Sequence, residues 1–341
     1  MKKLYFSVIV IIVLCLTFGI FYFTFISSRP NPNTTEQYEF KKLILGNYTN
    51  ETNKSASSSY SIRWWDLEPF HLAADDNQQI YLLDIYNDKV HHFNAEGKHI
   101  KEISLKCASF PNRERNSDKD DSYTEYRIQV SSSGTYFYIG AYDDYLAIYD
   151  GNGLQQRKGL TVDILKRICN DKFISWGQIV DNKMNVVKDF KQYSENEIID
   201  SQYNYYSLDL DMGTQFIVKK NSDKKIIWKK EISGNNNALS LIGADGGDNI
   251  YILMSDYLGI RKINSDGIVI TNVLLPNDEV FSNENLIKGV FQLLCDGTIY
   301  YFPNYHEISG TQSQKAKGEY VIYKFVNIGR MGSGLEISVY L

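Results

Sequence analysis

The 341-residue chain has little cysteine, little histidine and no excess of positive charge. Of its four cysteines, Cys15 sits inside an apolar run, which leaves Cys107, Cys169 and Cys295. These three are odd in number, far apart and without CxxC spacing, so neither a disulfide framework nor a zinc site is indicated. With 36 Lys and Arg against 41 Asp and Glu, the net charge of −5 gives no basic footprint for nucleic acid. Five histidines are too few for a His-rich site. His91 and His92 are neighbours on an expected strand, hence on opposite faces, one packed and one toward solvent. HExxH, GxSxG and the P-loop are all missing, which removes zincin, nucleophile-elbow and P-loop chemistry.

What the chain does have is a sentence written twice. Residues 72–100 and 242–270 align without a gap and share Ala74/Ala244, Asp75/Asp245, Ile80/Ile250, Tyr81/Tyr251, Leu83/Leu253, Asn94/Asn264, Gly97/Gly267 and Ile100/Ile270. An internal repeat of this kind constrains the fold before any other feature. Each copy holds a short apolar piece, an Asp-led turn, an apolar run, a polar loop, a third apolar piece, an Asn-x-x-Gly turn and a fourth piece. Four short strands joined by tight turns make one antiparallel sheet. The second strand is apolar on both faces, as a sheet packed between two others requires. Such sheets stacked around an axis are the blades of a β-propeller.

Weaker copies occupy the intervals. Gly134 to Gly153 repeats the turn, the aromatic strand and a Gly-rich hairpin, and Cys295 to Glu307 with Tyr320 to Gly329 repeats the second and third strands. Between Gly153 and Leu241 two strand-rich units remain, one around Lys172–Trp176 and Met184–Phe190, the other from Tyr205 to Ile232. The expected architecture is all-β: a propeller of about six four-stranded blades, with five or seven left open by the faint third and fourth copies, preceded by one transmembrane helix. Asp209-Leu-Asp-Met-Gly213 lacks the remaining ligands of a calcium loop and is expected to be a hairpin turn.

The blade text resembles that of the six-bladed group comprising NHL-repeat, TolB-like and gluconolactonase-like propellers. Asp75, Ile80-Tyr81, Asp84, Val90, Phe93, Asn94 and Gly97 carry the likeness, and so does the second copy from Asp245 to Gly267. The resemblance covers residues 62–330 loosely and about two blades well. It implies an architecture and no particular activity.

Leu4 to Ile26 is uncharged over 23 residues, about 34 Å as a helix, against a hydrocarbon core of about 30 Å. Lys2 and Lys3 precede it, which orients the N-terminus to the cytoplasm. The expected organisation is a cytoplasmic tip (1–3), a transmembrane signal-anchor (4–26), a polar tether (27–59) and a propeller (60–341) outside the cytoplasmic membrane. Either Tyr38–Gly46 or Leu335–Leu341 would serve as the strand that closes the ring. Asn33, Asn47, Asn50 and Asn53 begin Asn-x-Ser/Thr triplets, which an Asn-rich chain also produces by chance.

Four expected loops after second strands place a tyrosine beside an acidic or amide residue: Tyr86, Tyr142, Tyr257 and Tyr305. In a propeller such loops open onto one face, where tyrosine suits protein or glycan contact. Trp64 and Trp65, before the first blade, join them as candidates. The reading that follows is a membrane-anchored, extracytoplasmic binding or scaffold module without cofactor or catalysis, its partners the membrane and a protein or glycan. The alternative is a metal-dependent, lactonase-like hydrolase or lyase. For it the resemblance implies acidic and Asn side chains from different blades around a central ion, with Glu68, Asp84, Asp143, Asp256 and Asn304 as candidates.

Overall fold

Short apolar strands separated by Asp-, Asn- and Gly-led turns fold into six antiparallel-built sheets of four strands each. The computed structural model describes residues 36–47, 71–84, 89–105, 126–141, 145–158, 166–175, 178–189, 194, 196–232, 238–255, 259–304 and 319–330. The sheets belong to the unit Tyr38–Ile328; of the second unit, Met1–Gln37 with Gly329–Leu341, the described residues are the ends of two strands.

The N-terminal strand β1 (Glu36–Asn47) belongs to the last blade. The first blade is β2 (Leu72–Ala74), β3 (Ile80–Asp84), β4 (Lys89–Phe93) and β5 (His99–Ser104). The second is β6 (Tyr126–Val130), β7 (Phe137–Ala141), β8 (Tyr145–Asp150) and β9 (Gly153–Lys158). The third is β10 (Lys166–Ile168), β11 (Lys172–Ser175), β12 (Gln178–Val180) and β13 (Val186–Asp189). The fourth is β14 (Ile198–Ile199), β15 (Tyr205–Asp211), β16 (Thr214–Lys220) and β17 (Ile226–Glu231). The fifth is β18 (Ala238–Ala244), β19 (Ile250–Met254), β20 (Gly259–Ile263) and β21 (Val269–Leu274). The sixth runs β22 (Val290–Leu293), β23 (Ile299–Phe302), β24 (Glu319–Arg330) and then β1, so an N-terminal strand completes the C-terminal blade. The fold is a six-bladed β-propeller. The doubled sentence is blades one and five, in the same register: Ile80 faces Phe93 and Ile250 faces Ile263.

The core lies between blades. The second strands β3, β19 and β23 are buried along their whole length, which explains why their sequences do not alternate. Each begins with an apolar residue followed by an aromatic one. The aromatic series is Tyr81, Tyr138, Phe173, Tyr206, Tyr251 and Tyr300, every member buried. Three of these tyrosines donate to a buried aspartate six residues earlier: Tyr81 to Asp75, Tyr206 to Asp200 and Tyr251 to Asp245, each at 3.0 Å. The other carboxylate oxygen of each aspartate accepts the backbone N–H four residues on, at 2.8–3.0 Å. Burial raises the pKa of Asp75, and the hydrogen bonds from Gln79 and Tyr81 oppose that shift.

Turns between first and second strands hold neighbouring blades together in a closed circuit. Asp76 N–H donates to Ser132 O (3.1 Å), Ser132 N–H to Asp171 (2.6 Å) and Lys172 Nζ to the Tyr203 hydroxyl (2.7 Å). Ser201 N–H donates to Asp248 (2.9 Å), Gly246 N–H to Cys295 O (2.9 Å) and Gln78 Nε2 to Asp296 (2.8 Å), which returns to blade one.

Several expectations are corrected. No helix among the described residues is long and apolar enough to cross a membrane. The α-helix among them, Asn283–Lys288, has six residues, about 9 Å against a core of about 30 Å. Where a propeller behind a signal-anchor is expected, the described residues form the propeller and no membrane-spanning helix. The single-pass topology, the membrane as partner, the placement outside the cytoplasmic membrane and the role as a membrane-anchored scaffold accordingly have no support among the described residues. Residues 1–35, with Leu4–Ile26 and Asn33, lie outside the described residues, as do Asn50, Asn53 and Leu335–Leu341. Cys169 and Cys295 form a disulfide, which their separation of 126 residues concealed. His91 is buried with Nε2 3.3 Å from the Asp84 carboxylate, and His92 stacks on Tyr81 at 4.6 Å, so both histidines pack. The 209–213 motif, by contrast, is the expected hairpin, a two-residue one with Met212 and Gly213 at φ 48° and 83° between paired Asp211 and Thr214.

Two outcomes test this account. A Cβ on Gly134 (φ +70°) would lie 2.0 Å from the Tyr81 hydroxyl, and one on Gly297 (φ +87°) 2.7 Å from that of Tyr251. Gly134→Ala and Gly297→Ala should each lower stability by about 1–3 kcal/mol in denaturant unfolding. Gly151→Ala, which meets nothing within 4 Å, should stay within about 0.5 kcal/mol of the parent. Equal effects at all three positions would refute the clasp-and-glycine packing. Burial, aided by Lys101 and His99 for one and by His91 for the other, holds His92 and His99 below the usual imidazole range. Because the folded pKa lies below the unfolded value of about 6.5, the unfolded chain takes up protons first as pH falls. Their contribution is complete above that value and is lost as pH drops below it. The unfolding midpoint should fall between about pH 7.5 and about pH 5.5, and the double variant His92→Gln/His99→Gln should flatten that slope. A double variant with the parental slope would show that other groups set it.

Candidate functional site

The first strands of the blades enclose a central channel with a cavity of about 210 Å³. That is below the roughly 300 Å³ at which drug-sized ligand sites begin, so the occupant it fits is small. Strand pairing sets one residue of each first strand opposite the buried aromatic of the second. These are Ala73, Gln129, Arg167, Ile198, Gly243 and Gln292 in blade order. All but Ala73 line the cavity, with Leu72, Ile242, Val290, Phe291 and Leu293 supplying much of the apolar wall.

Two of the three polar residues in this layer are committed to the framework. Arg167 donates to Ala74 O and Val130 O, both at 3.3 Å, and pairs with Asp76 at 2.5 Å. Gln292 grips the Ala74 backbone twice, accepting its N–H at 2.8 Å and donating to its carbonyl at 2.9 Å. Gln129 is different: its Oε1 is buried and accepts no hydrogen bond among the described residues. An unmet buried carbonyl costs about 1–3 kcal/mol, which a ligand donor would remove. Arg127, two residues earlier on β6, projects from the same strand face into the same cavity.

The channel is blind at one end. Cys169 directly follows β10 of blade three and Cys295 follows β22 of blade six by two residues. Those blades face each other across a six-bladed ring, so a bridge with Cα atoms 5.5 Å apart passes across the axis. Asp76 reinforces this floor, holding Arg167 and accepting Cys295 N–H at 3.5 Å. First strands run toward the floor and second strands run away from it, so the second-to-third strand connections belong to the opposite end.

Tyr86, Tyr142, Tyr257, Tyr305, Asp143, Asp256, Trp64, Trp65 and Glu68 lie outside the described residues. Asp84 is described, buried against His91 in blade one, and Asn304 is half-buried after β23. Among the described residues no three His, Cys, Asp or Glu side chains are grouped to hold a metal ion. Among the described residues a central divalent ion has no ligand set. Sequence reading passed over Arg127 and Gln129. The available signal was the alternation Arg-Ile-Gln-Val at 127–130, which puts two polar side chains on one face of a channel strand.

A cation and an unmet carbonyl on one wall of a small apolar channel can orient a molecule with an anionic group and a neighbouring N–H or O–H. The cavity wall contains no carboxylate or imidazole among the described residues. Its chemistry is orientation and stabilisation of negative charge.

No protein-family model and no curated protein sequence matches the chain. Among solved structures, it is similar to a streptogramin B lyase at 9% identity, covering 85% of this chain and 97% of that one, TM-score 0.42. It is similar to virginiamycin B lyase from Staphylococcus aureus at 11% identity, covering 85% and 99%, TM-score 0.42. A third is regucalcin, a calcium-binding protein from Agrobacterium tumefaciens, at 12% identity, covering 78% and 92%, TM-score 0.42. Likenesses of this strength decide neither ligand nor reaction.

Proposed function

We propose that the central channel is a small-molecule site and that the propeller acts on its occupant as a hydrolase or lyase, without a metal held by the described wall. The observation that supports this is Gln129 Oε1, buried and unmet among the described residues, beside Arg127 in a blind channel. In this reading Arg127 takes the carboxylate or the oxyanion that develops on the substrate, where a low-dielectric wall strengthens the interaction. Gln129 accepts an O–H or N–H from the same molecule and sets its orientation, and the apolar wall excludes water around it.

Calorimetry with small lactones, esters and carboxylates, benzoate included, coupled to product detection by mass spectrometry, tests the reading. A charge-assisted hydrogen bond contributes about 1.5–3 kcal/mol, so Arg127→Met should weaken binding about 10- to 100-fold. Gln129→Leu should weaken ligands that carry a donor and spare those that lack one. Parental affinity in Arg127→Met would remove the site; Arg127-dependent binding with no product from any ester, lactone or β-substituted acid would remove the reaction and leave a binding channel.

A further inference from the structure

We propose that the Cys169–Cys295 disulfide is a redox-operated floor of the central channel, closed when oxidised and opened by a dithiol. The inference rests on the small-molecule reading of the channel for what passes through, and on the ring geometry for the floor itself.

Three observations carry it. The bridge joins opposite blades, whereas the hydrogen-bond circuit joins only neighbours, so cutting it leaves the circuit in place. Ile168 and Leu293, both lining the cavity, lie one and two residues from its cysteines, so the bridge is within two residues of the cavity wall on both sides. Its backbone is anchored on one side: Gly246 N–H donates to Cys295 O at 2.9 Å, and a Cβ at Gly246 would come within 2.9 Å of that oxygen. Movement after reduction therefore falls on the sulfurs. Unbonded sulfurs cannot stay at a covalent separation of about 2 Å; they part to at least their contact distance of about 3.5–4 Å, and rotation of either side chain about its Cα–Cβ bond carries them further. Cys169 has a place to go, because its Sγ already lies 3.9 Å from Ala244 O on blade five, an acceptor for a thiol.

The exchange balances with a dithiol as reductant. A thiolate attacks Sγ of Cys295, the more exposed of the two, the S–S bond breaks, and Cys169 leaves as a thiolate and takes a proton. The second thiol of the reductant then displaces Cys295, which is released and protonated, while the reductant becomes a cyclic disulfide. Two electrons and two protons pass to the protein.

The test uses the full chain with dithiothreitol, and Cys169→Ser/Cys295→Ser as a permanently open form. Alkylation in denaturant should label two of the four cysteines before reduction and four after it. In the native reduced chain Cys169 and Cys295 should alkylate within about tenfold of the rate in denaturant, while amide hydrogen exchange at Gly246, whose N–H holds Cys295 O, and in the second strands β3, β19 and β23 stays unchanged. Exchange of bound benzoate, followed by NMR saturation transfer, should quicken about tenfold and become insensitive to dithiothreitol in the double variant. Four labelled cysteines in the air-oxidised chain, Cys169 and Cys295 closed to alkylation in the native reduced chain, or amide exchange accelerated over all strands would each overturn the proposal. If benzoate binds neither redox state, the small-molecule reading loses support, while native-state alkylation of Cys169 and Cys295 still decides whether the floor opens.

Discussion

The hydrogen bond from a buried tyrosine to a buried aspartate, made by Tyr81, Tyr206 and Tyr251, is the constraint on which the ring depends. A buried carboxylate is costly unless every lone pair is met. Here one oxygen takes the tyrosine while the other takes backbone N–H groups, so the aspartate shapes the turn and ties it to the second strand at once. The phenol in turn loses water, and burial beside the aspartate drives the pKa of Tyr81, Tyr206 and Tyr251 far above the usual phenol range. Each stays a neutral donor at any pH the fold experiences. The next blade is fitted onto this pair: Gly134 on Asp75–Tyr81, Gly297 on Asp245–Tyr251. Positive φ and the missing Cβ are required together at those contacts.

A layer of basic residues backs the same tyrosines. The third-strand partner of Tyr206 is Lys219, of Tyr251 Lys262, and of Tyr300 Lys324; each ammonium lies 5.3–5.6 Å from its ring centroid. In blade one the partner is His92, stacked at 4.6 Å. Lys262 also reaches Asp245 at 3.3 Å, so in blade five aspartate, tyrosine and lysine form one buried group. The aspartate clasp is satisfied within one blade, whereas Lys219 and Lys324 reach the next, donating to Ser265 O at 3.0 Å and to Ala95 O at 3.2 Å. The strand β1 then completes the sixth, burying Leu43 and Leu45 in the shared core.

Legibility followed how local each determinant is. Asp75 and Gly97 shape turns within a few residues, so their recurrence at Asp245 and Gly267 was visible in the chain. Blade four keeps the same signal, Asp200 with Asn204, Tyr205 and Tyr206, but β14 before it has only two residues and the repeat read as faint. Blade three has Phe173 in the tyrosine's place, so the text around it lost its marker. The Cys169–Cys295 bridge was illegible for another reason: 126 residues separate its ends, and only ring closure through opposite blades brings them together. Arg127 and Gln129 were missed because a first strand of five residues carries no motif, and its facing becomes known only once the axis is located.

The division between repeated and unrepeated residues also indicates where function sits. Blades one, four and five keep the aspartate clasp, and their contributions to the central layer are Ala73, Ile198 and Gly243, small or apolar. Blades two, three and six lack it, and theirs are Gln129, Arg167 and Gln292, all polar. The disulfide likewise joins two of these three. Where a blade is held by its own buried pair, its channel position needs only to pack. Where it is not, polar groups at the axis take over part of the holding: Arg167 and Gln292 bind Ala74 of blade one, and the bridge joins blades three and six. Gln129 does none of that holding among the described residues. A buried amide carbonyl kept at the axis without a structural partner there is what a ligand site requires and a structural layer does not.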